Sequence, residues 1–292
     1  MAPTLAPPRA EAPEQRISDR EFNAIRELVY ARFGINLGDH KKSLVVGRLQ
    51  KVLMQRGFRT FQEYYDWLRG DPSGEGLEEL ANRITTNHTF FNREPAHFEY
   101  FAGTLLPQLV TRRRAENRRE LRFWCAGCSS GEEPYTIAML CAEAAAAAGH
   151  AARTERVRIT ATDIDRESLE RARNAVYPQA SFLEAPAWIT EKYCEREGES
   201  WRVREDIRRM VTITRLDLTR EAIPAAAYDL IFCRNVVIYF DRPMQERLFA
   251  QFADALLPGG ILVLGKVETL LGVAREKLTL VDARERIFRR AA

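Results

Sequence analysis

The segment "LRFWCAGCSSGEEPY", residues 121–135, decides the fold of this chain. It begins with an apolar run of strand length and passes through a turn bracketed by Gly127 and Gly131. It then continues into a helical stretch that carries Pro134 in its first turn. Proline suits that position because the first amides of a helix lack an intrahelical partner. A strand, a glycine turn and a helix in this order predict one unit of an α/β domain, with the backbone close to a ligand at the turn.

The same alternation continues to the end of the chain. Short apolar runs recur, and long helical stretches lie between several of them, which implies right-handed crossovers and a parallel sheet. The tail at 278–290 predicts two further strands around a turn, which would close the sheet as a hairpin. The predicted parallel strands lie at 121–127, 157–163, 211–218, 228–235 and 259–265.

The N-terminal part of the chain has helical rather than strand periodicity. Ser18 followed by Glu21 is a capping box, and Gly34 is placed to end the helix that it starts. Further helices are expected at about 40–56 and 61–69. We therefore expect four segments: a disordered tail at 1–16, a helical domain at 17–85, a linker and connecting helix at 86–118, and an α/β domain at 119–292.

The composition is that of an ordinary globular protein. Of the 292 residues, 46% are hydrophobic and 29% are charged, and the net charge of +3 is too small to indicate a nucleic-acid partner. Five irregularly spaced cysteines favour free thiols in a reducing cytosol. The sequence has no run of about 18 strongly apolar residues, so it predicts no membrane-spanning helix. We expect a cytoplasmic monomer that binds no nucleic acid.

Acidic residues at the strand ends indicate which cofactor the turn would bind. NAD favours G-x-G-x-x-G and a phosphate-binding loop needs G-K-[ST], but this chain has G-x-x-x-G followed by Glu132 and Glu133. Carboxylates there repel phosphate and favour a cation. S-adenosylmethionine carries an ammonium, a sulfonium and a ribose diol that Asp163 could bind. Two simpler roles stay open. The two glutamates could do no more than complement the helix dipole, and Asp163 could do no more than cap the next helix.

Four longer motifs resemble the chemotaxis receptor glutamate O-methyltransferases, the CheR family. They are "NHTFFNREPAHF" (87–98), "GCSSGEEPYTIAM" (127–139), "ATDIDRESLERARNAVY" (161–177) and "YDLIFCRNVVIYFD" (228–241). The resemblance implies an N-terminal all-helical domain and a Rossmann-like class I S-adenosylmethionine-dependent methyltransferase domain. It also implies a small inserted antiparallel β-subdomain at about 178–210. The implied activity is methyl transfer to glutamate side chains on the cytoplasmic helices of chemoreceptors, which leaves S-adenosylhomocysteine.

The resemblance also implies roles for individual residues. Arg93 matches a cofactor-contacting arginine that is expected to be catalytic, and Tyr239, the other residue expected to be catalytic, matches a tyrosine close to the transferred methyl group. The family often has Glu where His88 stands and Phe where Asn92 stands, and the loss of an aromatic residue at Asn92, next to Arg93, concerns the substrate side of the pocket. Together with Gly127 of the turn, the implied cofactor-binding residues are Asn87, Thr89, Arg93, Glu133, Asp163, Asp217, Leu218, Arg234 and Asn235.

Two features bear on how the receptor would be recognised. The second helix has a basic face that we expect to dock on the acidic receptor helices, although such a face is often only solvated. In family members that tether to a C-terminal receptor pentapeptide, the corresponding loop is longer and richer in glycine, whereas here only Gly198 lies between Tyr193 and "WRVRE". The resemblance therefore implies an enzyme that needs no receptor pentapeptide as a tether. The basic face consists of Lys41, Lys42, Arg48 and Lys51.

Other signals predict no separate function. Cys125 and Cys128 form C-x-x-C without further metal ligands at a workable spacing, so no metal is expected. The basic run at 111–120 is expected to be a solvated helix end. A nucleic-acid methyltransferase is less favoured because "RNVVIYF" (234–240) replaces the Asn/Asp-Pro-Pro-aromatic sequence typical of that class. A non-catalytic module that binds S-adenosylmethionine or S-adenosylhomocysteine is the other alternative.

Overall fold

A computed structural model describes residues 17–85, 88–118, 120–147 and 157–291. Its contacts divide the chain into two compact units, residues 1–86 and 87–292. Within the described ranges, no helix combines the length and the apolar character needed to cross a membrane.

Residues 17–85 form four α-helices, and the predicted capping box is confirmed. Ser18 Oγ accepts a hydrogen bond from the Glu21 amide, and the Ser18 amide donates to Glu21 Oε2 at 2.8 Å. Gly34 ends the first helix in the left-handed conformation. The fourth helix follows a glycine-rich break and was not predicted as a separate element. The helices are α1 (Asp19–Phe33), α2 (Lys42–Arg56), α3 (Phe61–Gly70) and α4 (Glu75–Ile84).

The second unit is built on a seven-stranded sheet, and the five predicted parallel strands and the terminal hairpin are confirmed. Its order is β6-β2-β1-β7-β8-β10-β9. The first five strands in this order are parallel to one another. β10 pairs antiparallel with β8 on one side and with β9 on the other. The strands are β1 (Leu121–Ala126), β2 (Val157–Asp163), β6 (Val211–Arg215), β7 (Tyr228–Cys233), β8 (Leu256–Leu264), β9 (Leu278–Asp282) and β10 (Ile287–Arg290).

Helices cover both faces of this sheet, so its strands are buried on two sides. In β1, Phe123 belongs to one apolar cluster and its neighbour Trp124 belongs to the other. A π-helical turn at Phe101–Leu105 joins α5 to α6. The helices are α5 (Pro95–Tyr100), α6 (Leu106–Ala115), α7 (Glu132–Ala147), α8 (Arg166–Asn174), α9 (Ala187–Tyr193), α10 (Glu205–Arg208), α11 (Arg242–Ala255) and α12 (Ala274–Lys277).

The inserted antiparallel subdomain is also confirmed. Three short strands, β3 (Val176–Pro178), β4 (Cys194–Glu197) and β5 (Ser200–Val203), form a sheet of order β3-β5-β4. Glu197 pairs with Ser200, so only Gly198 and one further residue connect β4 to β5. The loop of this hairpin is therefore two residues long, which agrees with the short segment and single glycine seen in the sequence.

The prediction that the basic run at 111–120 is a solvated helix end was wrong for two of its arginines. Arg112 Nη2 lies 2.8 Å from Asp229 Oδ1, and Arg113 pairs with the same carboxylate. Asp229 is fully buried and Arg113 is 4% exposed. The two arginines fix α6 to the start of β7, because a buried carboxylate is tolerated only when it is paired. All five cysteines are buried free thiols.

Candidate active site

The glycine turn after β1 is held directly on the end of β2. The amides of Gly127 and Cys128 both donate to the Thr162 carbonyl, at 2.8 and 2.9 Å. Gly127 has φ of +84°, and a Cβ built on it would lie 2.3 Å from Val236 Cγ2 in the segment after β7. The turn therefore needs glycine twice, once for its backbone conformation and once for the close approach of a neighbouring loop.

Asp163 joins the end of β2 to this turn. Its Oδ2 accepts from the Ser129 amide at 2.8 Å, and its Oδ1 accepts from the Asp165 amide at 3.0 Å. The residue that caps α8 is Asp165, whose side chain accepts from the Glu167 amide, so the capping alternative for Asp163 was wrong. Burial raises the pKa of the Asp163 carboxyl. A carboxylate has about four acceptor sites, so Asp163 has capacity left for a ribose hydroxyl.

The two glutamates that start α7 have different surroundings. Glu132 is buried and accepts from Ser130 Oγ at 2.8 Å. Glu133 Oε2 lies 3.0 Å from Arg234 Nη1, so it forms an ion pair as well as lying in the first turn of the helix. Burial raises the pKa of both carboxyls, and Arg234 opposes the rise at Glu133.

Arg234, at the end of β7, joins two parts of the site. Its Nη2 bonds to the Arg93 carbonyl and lies 3.2 Å from Glu94 Oε2, while its guanidinium lies 5.0 Å from the centre of the Phe98 ring. Only 3% of the Arg234 side chain is exposed. With Glu133 on its other side, this one cation links the segment before α5 to the start of α7.

The second carboxylate of this network is strongly acidic. Burial opposes the ionisation of Glu94, but the hydrogen bond from His97 and the charge of Arg234 outweigh it and lower its pKa to about 2. His97 Nδ1 lies 3.1 Å from Glu94 Oε2, and its Nε2 lies 3.5 Å from Glu285 Oε2. Glu94 is therefore ionised at neutral pH.

The segment from residue 88 to 94 is held in an unusual backbone conformation. Asn92 and Glu94 have φ of 64° and 60°. Asparagine tolerates this left-handed region better than most residues, which gives Asn92 a local structural role. Its side-chain amide donates to the Glu184 carbonyl at 3.3 Å. Arg93 Nη1 donates to the His88 carbonyl at 2.7 Å, and Phe91 stacks on Phe182 at 4.3 Å.

A buried glutamate that sequence reasoning missed holds the segment after β7. Glu268 accepts from the amides of Asn235, Val236 and Val237 and from that of Gly265. Its position in the sequence could have indicated this role, because Glu268 lies four residues beyond β8, at the same edge of the sheet as the predicted site residues.

The remaining predicted residues lie in three places. Tyr239 is half-buried at the end of a 3₁₀ turn, Val237–Tyr239. Asp217 follows β6 and accepts from the amide and the hydroxyl of Thr219, and Leu218 packs into an apolar cluster. Thr89 is half-buried. Asn87 lies outside the described residues.

Comparison with known proteins places this chain in a family. The model described as "CheR methyltransferase, SAM binding domain" matches residues 87–287, and "CheR methyltransferase, all-alpha domain" matches residues 20–85. This chain belongs to the CheR methyltransferase family. The matches together span almost all of the described residues.

Curated relatives agree with this assignment. A chemotaxis protein methyltransferase from Borreliella burgdorferi is 38% identical over 88% of this chain and 90% of its own length. A probable chemotaxis protein methyltransferase from Rhizobium etli is 34% identical over 85% of this chain and 92% of its own length. The chemotaxis protein methyltransferase of Escherichia coli is 34% identical over 89% of this chain and 87% of its own length.

The side chains at the sheet edge of this CheR protein fit S-adenosylmethionine. Glu133 and Asp163 are carboxylates beside the glycine turn, and the turn itself, from 127 to 131, contains no lysine or arginine that would bind a phosphate. A cofactor that is cationic and free of phosphate suits that set of groups. The cofactor prediction is confirmed by the match to the CheR domain that binds it.

Three members of the predicted basic face lie on α2, in the all-α domain, and the fourth, Lys41, ends the 3₁₀ turn that precedes this helix. Two of its members have interactions inside that domain: Lys42 Nζ lies 2.5 Å from Asp19 Oδ1, and Arg48 donates to the carbonyls of Arg83 and Ile84 at the end of α4. Lys51 is exposed and Lys41 is half-buried. Arg48 therefore stabilises the domain, and Lys51 is the more suitable position at which to test docking.

Proposed function

We propose that this protein transfers methyl groups from S-adenosylmethionine to glutamate side chains on the cytoplasmic helices of chemoreceptors, giving methyl esters in chemosensory adaptation. The observation that supports it most is Arg234, which joins the "NREP" segment to the "GEEP" turn at the carboxyl edge of the sheet. The relatives that share this domain pair carry the name chemotaxis protein methyltransferase.

The proposed reaction needs little acid–base catalysis by the protein. The bound cofactor supplies a methyl group on a sulfonium sulfur, a good leaving group for in-line attack by a carboxylate oxygen. A glutamate is ionised at neutral pH, since its unperturbed pKa is about 4.3, so no general base is needed. The protein must orient the acceptor and limit competing water.

Arg93 and Tyr239 are the residues proposed to act nearest the methyl group. The Arg93 carbonyl accepts from Arg234, and its guanidinium donates to the His88 carbonyl, so both ends of the residue are held. From there its charge could bind the carboxylate of the cofactor and attract the acceptor glutamate. Tyr239, at the end of the 3₁₀ turn, is proposed to pack or hydrogen-bond near the methyl group.

We expect Arg93→Ala to lower methyl transfer about 100-fold, because both the cofactor and the acceptor lose an orienting charge. The measurement is the release of base-labile methanol from a chemoreceptor cytoplasmic fragment after incubation with methyl-labelled cofactor. Arg122→Ala is the control, since Arg122 is 60% exposed and pairs with Glu120. Near-normal methylation by Arg93→Ala would contradict the role of Arg93. Absence of base-labile methyl groups with the unmutated protein would favour a non-catalytic module.

We further propose that the exposed side of α2 contacts the acidic receptor helices. Lys51→Glu should raise the KM for the receptor fragment about 3- to 10-fold, as expected for about 1 kcal/mol of surface charge interaction. The change should shrink as salt is added, and the affinity for S-adenosylhomocysteine should not change. Arg122→Glu is the matched charge reversal in the other unit. An unchanged KM for Lys51→Glu would indicate that this face is only solvated.

The short hairpin supports action without a pentapeptide tether. Glu197 and Ser200 pair directly across it, so the connection holds only Gly198 and one further residue. We expect no measurable heat when a receptor C-terminal pentapeptide is titrated into the protein by calorimetry. Micromolar binding would contradict this prediction.

A further inference from the structure

The Glu268 carboxylate accepts four hydrogen bonds from the backbone of the candidate site. Its Oε1 accepts from the amides of Val236 and Val237, both at 2.9 Å. Its Oε2 accepts from the amides of Asn235 at 3.0 Å and Gly265 at 2.7 Å. The residue is 2% exposed. All four donors are satisfied by one carboxylate that has almost no contact with solvent.

The absence of a side chain at Gly265 fits the same arrangement. A Cβ built on Gly265 would lie 2.9 Å from three atoms, namely Asn235 N, Asn235 Nδ2 and Glu268 Oε2. The segment 235–237 therefore lies directly against the end of β8, with no room for a side chain between them. Asn235 has φ of 59°, in the left-handed region that asparagine tolerates better than most other residues.

The segment held in this way lies between two groups of the proposed reaction. Arg234, which bonds Glu133 and Glu94, precedes it directly. Tyr239 follows it, and the Tyr239 amide donates to the Val236 carbonyl at 3.2 Å. A shift of the main chain at 235–237 would move both side chains together.

We propose that Glu268 is a positioning residue for methyl transfer, whose carboxylate fixes the main chain at 235–237 and so orients Arg234 and Asn235 toward the cofactor and Tyr239 toward the acceptor. This inference rests on the proposed function for its kinetic consequences. Its structural part, the fixing of the segment, stands apart from the identity of the acceptor.

The chemistry of the four donors requires a carboxylate rather than an amide. A glutamine has one acceptor oxygen, so it could serve either the Val236 and Val237 pair or the Asn235 and Gly265 pair, but not both. Its NH₂ group would then face two backbone N–H donors. Glu268→Gln therefore keeps the size of the side chain and removes half of its hydrogen bonds.

The experiment compares Glu268→Gln and Gly265→Ala with the unmutated protein. Both variants should remain folded, and hydrogen exchange at the amides of 235–237 should be about tenfold faster. At saturating cofactor and receptor fragment, turnover should fall about 30- to 100-fold, because small misplacements of orienting groups are that costly. The KM for the fragment should stay within about twofold, since α2 and the receptor contacts are unchanged.

Asp229→Asn serves as the control for a purely structural loss. Asp229 is also a fully buried carboxylate that accepts a backbone amide, from Arg122 at 3.0 Å, but it lies at the start of β7, away from the carboxyl edge. This variant should lower the melting temperature while turnover of the folded protein stays within about twofold. If Glu268→Gln fails to fold, Gly265→Ala carries the test, because its Cβ disturbs the contact between Asn235 and Glu268 without substituting either residue.

Two results would overturn the proposal. One is unchanged exchange at 235–237 in both variants. The other is faster exchange with turnover within about twofold of the unmutated protein. If the unmutated protein does not methylate the fragment, the proposed function fails separately. Affinity for S-adenosylhomocysteine then decides: a loss of about fivefold or more in both variants supports the proposal, and an unchanged value overturns it.

Discussion

Gly127→Ala is expected to weaken binding of S-adenosylhomocysteine about 30-fold or more and to lower the free energy of unfolding by about 2–4 kcal/mol. The new Cβ would lie 2.3 Å from Val236 Cγ2, on a residue with φ of +84°. Val236 belongs to the segment that Glu268 holds, so it has little freedom to move away. The clash therefore displaces either the glycine turn or the segment beside Arg234, and both are parts of the proposed cofactor site.

Gly198→Ala separates the steric effect from the backbone strain. Gly198 also has a positive φ, of +60°, but a Cβ built on it meets no atom within 4 Å. This variant should lose about 1 kcal/mol of stability and bind S-adenosylhomocysteine normally. Isothermal calorimetry and urea unfolding measure the two quantities. Normal cofactor affinity in Gly127→Ala would show that the close approach to Val236 does not matter for binding.

The fold could be predicted because its signals are local. The apolar strands, the capping box at Ser18 and the glycine turn each lie within a few residues of the chain, and each sets a nearby conformation. The fourth helix was missed because it follows the glycine-rich segment 70–76, whose composition is typical of a loop. Arg112 and Arg113 were misjudged because their partner, Asp229, is more than 100 residues away in the chain.

The candidate site was predictable only in part for the same reason. The residues at the ends of β1, β2 and β7 follow from the rule that ligands bind at the carboxyl edge of a parallel sheet. The ion pairs that connect them do not follow from it, since Glu94, Glu133 and Arg234 come from three separate parts of the chain. Glu268 acts on backbone amides, and an acceptor of that kind leaves no pattern in side-chain types.

Arg234→Met should be the most destabilising single change at the site. Methionine fills a similar apolar volume but leaves the partly buried Glu94 and Glu133 without their shared cation. Removing one partner of a buried ion pair costs about 3–5 kcal/mol. We expect a loss of that size at pH 7 in urea unfolding, together with loss of S-adenosylhomocysteine binding. Arg202→Met is the control, because Arg202 pairs with Glu197 at the surface, where the loss of an ion pair changes stability little.

The pH dependence of that loss distinguishes the ion pair from simple packing. In the unmutated protein the pKa of Glu94 is lowered to about 2, so its stabilising contribution is complete above the unfolded pKa of 4.5 and disappears as the pH falls toward 2. In Arg234→Met, Glu133 loses the main charge that opposes the rise of its pKa, and Glu94 keeps its hydrogen bond from His97 but loses the charge of Arg234, so protonation relieves the variant as the pH falls. The difference in unfolding free energy between the two proteins should therefore shrink steadily from pH 7 to pH 3. A difference that stays constant over that range would mean that lost packing, and not the charge of Arg234, accounts for the instability.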